Sequence, residues 1–253
     1  METLDSIKIR SFEVKVYQAE NGYRFSLDAL LLADFPALKS CKNILELGAG
    51  SGVVSLLLAL KYPKARVTGV EIQESLYRRA ARNAEINGLS DRANFIHADL
   101  REIPKILPIG SFELCVMNPP FRKTGTGRIS PGDERATARH ELKGGIEEAI
   151  KTARIMLKNM GRLCLVYHPE RLGELITLMK SNALEPKRLR FIHSHKGDRA
   201  RMMLVEAVKD GAPGVTVLPP LFVYEREKEY TAEMREFYGF LPMPTARSGP
   251  DLR

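Results

Sequence analysis

Tryptophan is absent from the 253 residues, and cysteine occurs only at positions 41, 115 and 164. An odd, widely spaced set of cysteines fits neither a disulfide framework nor a zinc site, so Cys41, Cys115 and Cys164 read as reduced, structural thiols. Long apolar runs are missing too. The longest, Val53 to Leu60, falls far short of the ~18 residues of a membrane span. The start, Met1-Glu-Thr-Leu-Asp5, has no basic segment ahead of an apolar stretch, so no secretory leader is expected and the chain is expected in the cytoplasm. There are no internal repeats and no low-complexity tracts. Acidic residues are the scarcer charge, 31 against 39 Lys and Arg, for a formal net charge of +8. That balance favours a polyanionic partner such as nucleic acid. An apolar share of 44% against 28% charged excludes a wholly disordered chain.

What is present is alternation. From Asn43 onward, short β-prone runs alternate with helical patterns, the signature of βα units on a mostly parallel sheet. Strands are expected over 43–47, 66–71, 93–97, 114–118, 162–167, 187–192 and 202–208. Helices are expected over 53–61, 74–87 and 146–158, the second with Arg78, Arg79 and Arg82 on a wet face. Only the polar link His193–Arg201 separates the last two strands, so an antiparallel hairpin is expected to close the far edge of the sheet. The fold class is therefore α/β: a Rossmann-like, doubly wound, seven-stranded, mostly parallel sheet whose last strand is antiparallel. Residues 1–42 read as an N-terminal extension, 43–241 as the domain and 242–253 as a flexible tail. The stretch Pro119–Gly145 has no apolar periodicity and is long for a structureless connection, which points to function.

Three strand ends carry candidate chemistry. Strand Asn43–Leu47 runs through Glu46 into Gly48-Ala49-Gly50-Ser51-Gly52 and then a helix. Glycines at alternate positions let the backbone turn sharply and approach a nucleotide-like ligand, while the helix start offers free N–H groups. The spacing G-x-G-x-G departs from the dinucleotide fingerprint. Glu71 ends the second strand and could accept both hydroxyls of a ribose. Asp99 ends the third and could accept from an adenine amine, with Ile72 and Leu100 as apolar walls; capping the next turn is its competing role. The fourth strand leads into Asn118-Pro119-Pro120-Phe121. Two prolines fix the backbone and remove two donors, so the Asn118 side-chain oxygen and the Pro119 carbonyl can converge on one planar amino group while Phe121 stacks on its ring. Acceptors on both N–H bonds free the nitrogen lone pair to attack an electrophilic methyl.

In this order these residues resemble the class I S-adenosylmethionine-dependent methyltransferases with the Asn-Pro-Pro-aromatic motif of amino-group methylation. The segments Gly22–Ala33, Lys123–Pro131 and Arg135–Glu141 make the chain similar, more narrowly, to the bacterial tRNA (adenine-N6) methyltransferases that modify adenosine 37 of a valine tRNA. The resemblance implies S-adenosylmethionine as cofactor, with the glycine turn on its methionine part, Glu71 on the ribose, Asp99 toward the adenine, and Glu46 and Asn118 also among the residues that bind it. It also implies that the N-terminal extension, through Phe25 with Arg24 and Asp28, closes the cofactor pocket. The family often ends its motif in Tyr. Phe121 keeps the stacking face and loses a hydroxyl, which leaves activity expected.

The Asn-Pro-Pro core alone leaves the acceptor open, since guanine-N2 rRNA, DNA adenine and protein-glutamine enzymes share it. The short stretch before Asn43 counts against the glutamine enzymes. A basic RNA-binding protein that keeps the fold without chemistry is the remaining alternative, and the complete motif set argues against it. For a tRNA substrate, phosphate contacts are expected from Arg122, Lys123, Arg128, Arg135 and Arg139, and from Lys187, Arg188, Arg190 and Lys196. His193 and His195 lack a third nearby ligand, so no metal is expected. The chain is expected to be a monomer or weak homodimer, with no membrane partner.

Overall fold

A computed structural model of the chain describes residues 2–19, 26–119 and 145–239. The chain opens with an antiparallel hairpin, β1 (Glu2–Ile9) and β2 (Phe12–Ala19). Period-two alternation in β2 turns Val14, Val16 and Gln18 inward and leaves Glu13 and Lys15 exposed. Helix α1 (Leu27–Asp34) follows, apolar enough that Ala29 to Ala33 are all buried. Then come β3 (Asn43–Leu47), α2 (Val53–Lys61), β4 (Arg66–Glu71), α3 (Glu74–Ile86), β5 (Ala93–His97), the single turn α4 (Ile103–Ile106) and β6 (Phe112–Met117). From Gly145 the order is α5 (Gly145–Met156), β7 (Leu157–Tyr167), α6 (Leu172–Ser181), β8 (Leu184–His193) and β9 (Ala200–Lys209). Short strands β10 (Thr216–Val217), β11 (Leu221–Phe222), β12 (Tyr224–Arg226) and β13 (Glu229–Tyr230) lead to α7 (Ala232–Phe237).

The main sheet runs β8-β9-β7-β6-β3-β4-β5, with β10 and β11 both added in parallel to the outer side of β8. All seven long strands are parallel except β9, which is antiparallel to β7 and to β8. The expected hairpin exists, but its second strand lies inside the sheet and does not close the edge. The sequence explains why. Met203 to Val208 is buried without interruption, as a strand flanked on both sides requires, whereas β8 alternates buried and half-buried positions. The two-residue strands β10 and β11 carry too little pattern to be read in advance.

One face of the sheet is covered by α1, α2, the β1–β2 hairpin and α7, which bring Ile7, Val16, Leu32, Leu57, Met234 and Phe237 into one core with Ile44, Val116 and Val166. The other face is covered by α5 and α6 through Ile150, Ala153, Leu175 and Met179 against Leu45, Cys115 and Leu163. Helix α2 is buried from Val53 to Ala59, each large apolar side chain there contributing roughly 1.5–3 kcal/mol. Cys41, Cys115 and Cys164 are free and buried, and desolvation raises all three thiols, Cys41 to about 12. No helix among the described residues is long and apolar enough to cross a membrane.

Helix α3 keeps the expected wet face at Arg78 and Arg82, which are exposed, and departs from it at Arg79. Arg78 is exposed and pairs with Glu74, but Arg79 is buried against Glu2 at 2.7 Å, and Arg82 stacks over the Tyr17 ring at 3.6 Å. The N-terminal hairpin covers this face of α3. Asn83 joins the two by accepting from the Tyr17 N–H at 2.7 Å and donating to the carbonyl of Tyr17.

Candidate active site

Parallel strands end together, so the residues that follow β3, β4, β5 and β6 meet along one edge of the sheet. At β3 the chain turns through Gly48, Gly50 and Gly52, all with positive φ, and α2 begins at Val53. A Cβ on Gly48 would meet no atom within 4 Å, so this side of the turn is open for a ligand to approach. At Gly52 a Cβ would come within 2.8 Å of the Phe95 ring, so only glycine lets β5 pack beneath the turn. Three other side chains brace it. Glu71 at the end of β4 accepts from the Gly50 N–H at 2.7 Å and from the Gln73 N–H at 2.9 Å. Asn83 donates to the Ser51 carbonyl at 3.0 Å. Ser55, one turn into α2, donates to Glu46 beneath it.

A cleft sits over this turn, lined by Ala29, Glu46, Gly48, Ala49, Ser51, Val53, Val54 and Asn118. The Asn-Pro corner and the glycine turn therefore share one cavity. Asn118 follows β6 directly, half-buried, and its Nδ2 donates to Asp28 Oδ2 at 3.1 Å. Glu46 is fully buried and desolvation pushes its carboxyl up to about 8, against the opposing effect of the Ser55 hydrogen bond. It lies beneath the glycine turn, donated to by Ser55.

Asp99 ends β5 as expected, and it is already engaged. It accepts from the Arg101 N–H at 2.9 Å, capping a short 3-10 turn, and pairs with the Arg101 guanidinium, which draws its carboxyl below the usual carboxylate range. Ile72 and Leu100 flank these strand ends half-buried, and the Ile72 carbonyl contacts His97 Nε2 at 2.9 Å. Phe25, Pro120 and Phe121, with Arg122, Lys123, Arg128, Arg135 and Arg139, lie outside the described residues, as does the 242–253 tail.

The second basic run divides. Arg188 pairs with the fully buried Glu206 at 3.1 Å and stacks on Phe35 at 4.7 Å, while Arg162 pairs with the same carboxylate from the neighbouring strand. Arg190 is bound to Glu233 and to the Pro219 carbonyl, and Lys187 to the Ala212 carbonyl. Arg188 and Arg190 thus stand in internal ion pairs, Arg188 with a carboxylate buried on β9 and Arg190 with Glu233 on α7. The turn between β8 and β9 is different. Lys196 and Arg199 are exposed there, and Arg201 at the start of β9, at the same edge of the sheet as Asn118. His193 and His195 turn ring nitrogens to the carbonyls of Asp198 and Glu227. Arg199 and Arg201 belong to the same basic run, Lys187–Arg201, and nothing in sequence distinguishes a cation at a strand's open end from one along its side. Asp28 stands in a motif segment, but nothing in that segment marks it as the partner of Asn118.

A parallel sheet with one inserted antiparallel strand, a glycine turn after its central β3 and an acid after β4 together define a class I S-adenosylmethionine-dependent methyltransferase fold. Solved structures agree. A crystal structure described as a predicted O-methyltransferase, from Agrobacterium tumefaciens, superposes with a TM-score of 0.69 at 26% identity, covering 85% of this chain and 96% of that one. The fold is shared with a Thermus thermophilus 16S rRNA N2 G1207 methyltransferase in complex with AdoMet and guanosine, at a TM-score of 0.60 and 22% identity over 83% of this chain and 51% of that one. Residues 27–181 match the model of the methyltransferase small domain, and the chain belongs to that family. Among curated relatives, a tRNA1(Val) (adenine(37)-N6)-methyltransferase of Porphyromonas gingivalis is 32% identical over 68% of each chain. A protein of the same name from Vibrio campbellii is 25% identical over 92% of this chain and 98% of its own.

The protein is an S-adenosylmethionine-dependent methyltransferase, and the residues at this edge fit that cofactor. The turn is open to a ligand at Gly48, and the buried Glu71 holds it in shape at Gly50.

Proposed function

We propose that the chain transfers the methyl group of S-adenosylmethionine to the exocyclic N6 amine of an unpaired adenine in tRNA. The observation that carries this reading is the cleft shared by Asn118 and the glycine turn, with Gly48, Ala49 and Asn118 on its wall. Gly48, Ala49, Gly50 and Gly52 hold the cofactor, with Glu71 on its ribose, Asp99 toward its adenine, Ile72 and Leu100 as walls, and Phe25 closing it. Bound there, the cofactor supplies an electrophilic methyl on a sulfonium.

The chain's own part is placement. The Asn118 amide oxygen and the Pro119 carbonyl each accept one N–H of the target amine, and Pro120 keeps that corner rigid. Phe121 stacks on the base. No strong base is required, because the nitrogen lone pair is released by its two hydrogen bonds, and the nitrogen, cationic once the methyl has left sulfur, gives its proton to water. Alignment of this kind is worth roughly 7–11 kcal/mol of the barrier. Extruding the base costs about a few kcal/mol, least in an anticodon loop. Relatives whose names specify tRNA1(Val) adenine-37 support tRNA as the substrate. Lys196, Arg199 and Arg201 at the same sheet edge provide cations for its backbone, joined by Arg122, Lys123, Arg128, Arg135 and Arg139 of the segment after the motif.

The test is methyl-tritiated cofactor offered to separated tRNA, rRNA, DNA and protein fractions, followed by nucleoside analysis. Label in tRNA as N6-methyladenosine is the expected result. Label confined to guanine N2, to DNA or to glutamine would replace the acceptor, and no label in any fraction would replace the reading.

A further inference from the structure

Asn118 has a property that neither the motif nor the cleft accounts for. A side-chain amide has a donor end and an acceptor end of nearly the same shape, and the two functions are opposite. If the nitrogen faced the target amine, two donors would meet and the base would be repelled. Asp28 decides between the two orientations. Its Oδ2 accepts from Asn118 Nδ2 at 3.1 Å, and its Oδ1 accepts from the Ala29 N–H at 3.0 Å and from the Ser26 hydroxyl. All three contacts are donations to the carboxylate. The residue is 6% exposed, so water does not compete for these bonds. Ala29, the next residue on α1, lines the cleft beside Asn118, so the pair borders the cavity.

We propose that Asp28 is a positioning residue that holds the Asn118 amide with its nitrogen toward α1 and its oxygen toward the cleft. The proposal rests on Asn118 being the acceptor for the target amine. A purely local role for Asp28 is the competing explanation, since an acid in the first turn of a helix stabilises that helix whatever its neighbours do.

The test is Asp28→Asn. Asparagine at this position cannot accept on both ends, and its nitrogen faces either the fixed Ala29 N–H or Asn118. Relief comes from turning the Asn118 amide over. The expected result, at saturating cofactor, is a fall in kcat of about a hundredfold, comparable to removing one positioned hydrogen bond, with KM for the RNA unchanged within about twofold. In an Asn118→Ala background, Asp28→Asn should cost nothing further, because it acts through the residue already removed. A helix-stabilising role predicts a lower Tm with kcat intact, or the same loss in both backgrounds, and either result overturns the proposal. Asn118→Ala with full turnover would instead remove the reading on which it rests, so the two failures are distinct. If Asp28→Asn does not fold, NMR of the unaltered protein decides: a single slowly exchanging Asn118 side-chain proton supports the bond, and two rapidly exchanging ones overturn it.

Discussion

Glu46 shows how a single residue ties the site to the stability of the whole. In the unfolded chain its carboxyl ionises near 4.5, whereas burial holds the proton in the folded protein up to about 8. Unfolding between these values releases a proton. Stability therefore falls as pH rises from about 4.5 to about 8, by up to about 1.4 kcal/mol per pH unit from this group, and levels off above. Glu46→Gln should flatten that decline, and urea unfolding at pH 5, 7 and 9 would show it. An undiminished slope would mean that Glu46 is charged in the native state. Legibility at this scale depends on distance along the chain. The glycines, Glu71 and Asn118 stand at strand ends and advertise themselves through neighbours a few residues away. The bond between Asp28 and Asn118 joins positions 90 apart, and no local pattern marks it.

At the scale of elements, the order of βα units is readable because each strand and helix has its own periodicity. The place of β9 is not, since pairing on both sides is a tertiary fact that shows only as an unbroken buried run. The same limit separates the cations of β8 from those of the following turn. Arg188 and Arg190 answer to Glu206 and Glu233, while Lys196, Arg199 and Arg201 stand exposed at the strand ends. Replacing these last three by Ala should flatten the salt dependence of RNA binding by about 0.7 in log–log slope for each phosphate left without its cation. Arg188→Ala should leave the slope alone and lower stability by roughly 1–3 kcal/mol, because Glu206 would keep Arg162 alone as a cationic partner. Binding titrations across ionic strength test both. A slope altered by Arg188→Ala and not by the triple variant would move the RNA surface to the side of β8.

For the molecule as a whole, the hairpin at the N-terminus is the largest feature that the sequence does not announce. Its strands alternate over only eight residues each, and its partner surface on α3 has the pattern of a solvated arginine face. Packed there, it reaches the glycine turn through Asn83, which bonds both Tyr17 and Ser51. The fold thus braces one half of the cleft from α3 and the other from α1, while the sheet carries the turn and the Asn-Pro corner to the same edge. That convergence is the central claim, and single-turnover methyl transfer by Asn118→Ala tests it most directly, with the accepting RNA and the cofactor both saturating and cofactor affinity measured alongside. The cofactor should still bind, with transfer at saturation slower by about a hundredfold or more. Transfer at the unaltered rate would contradict it.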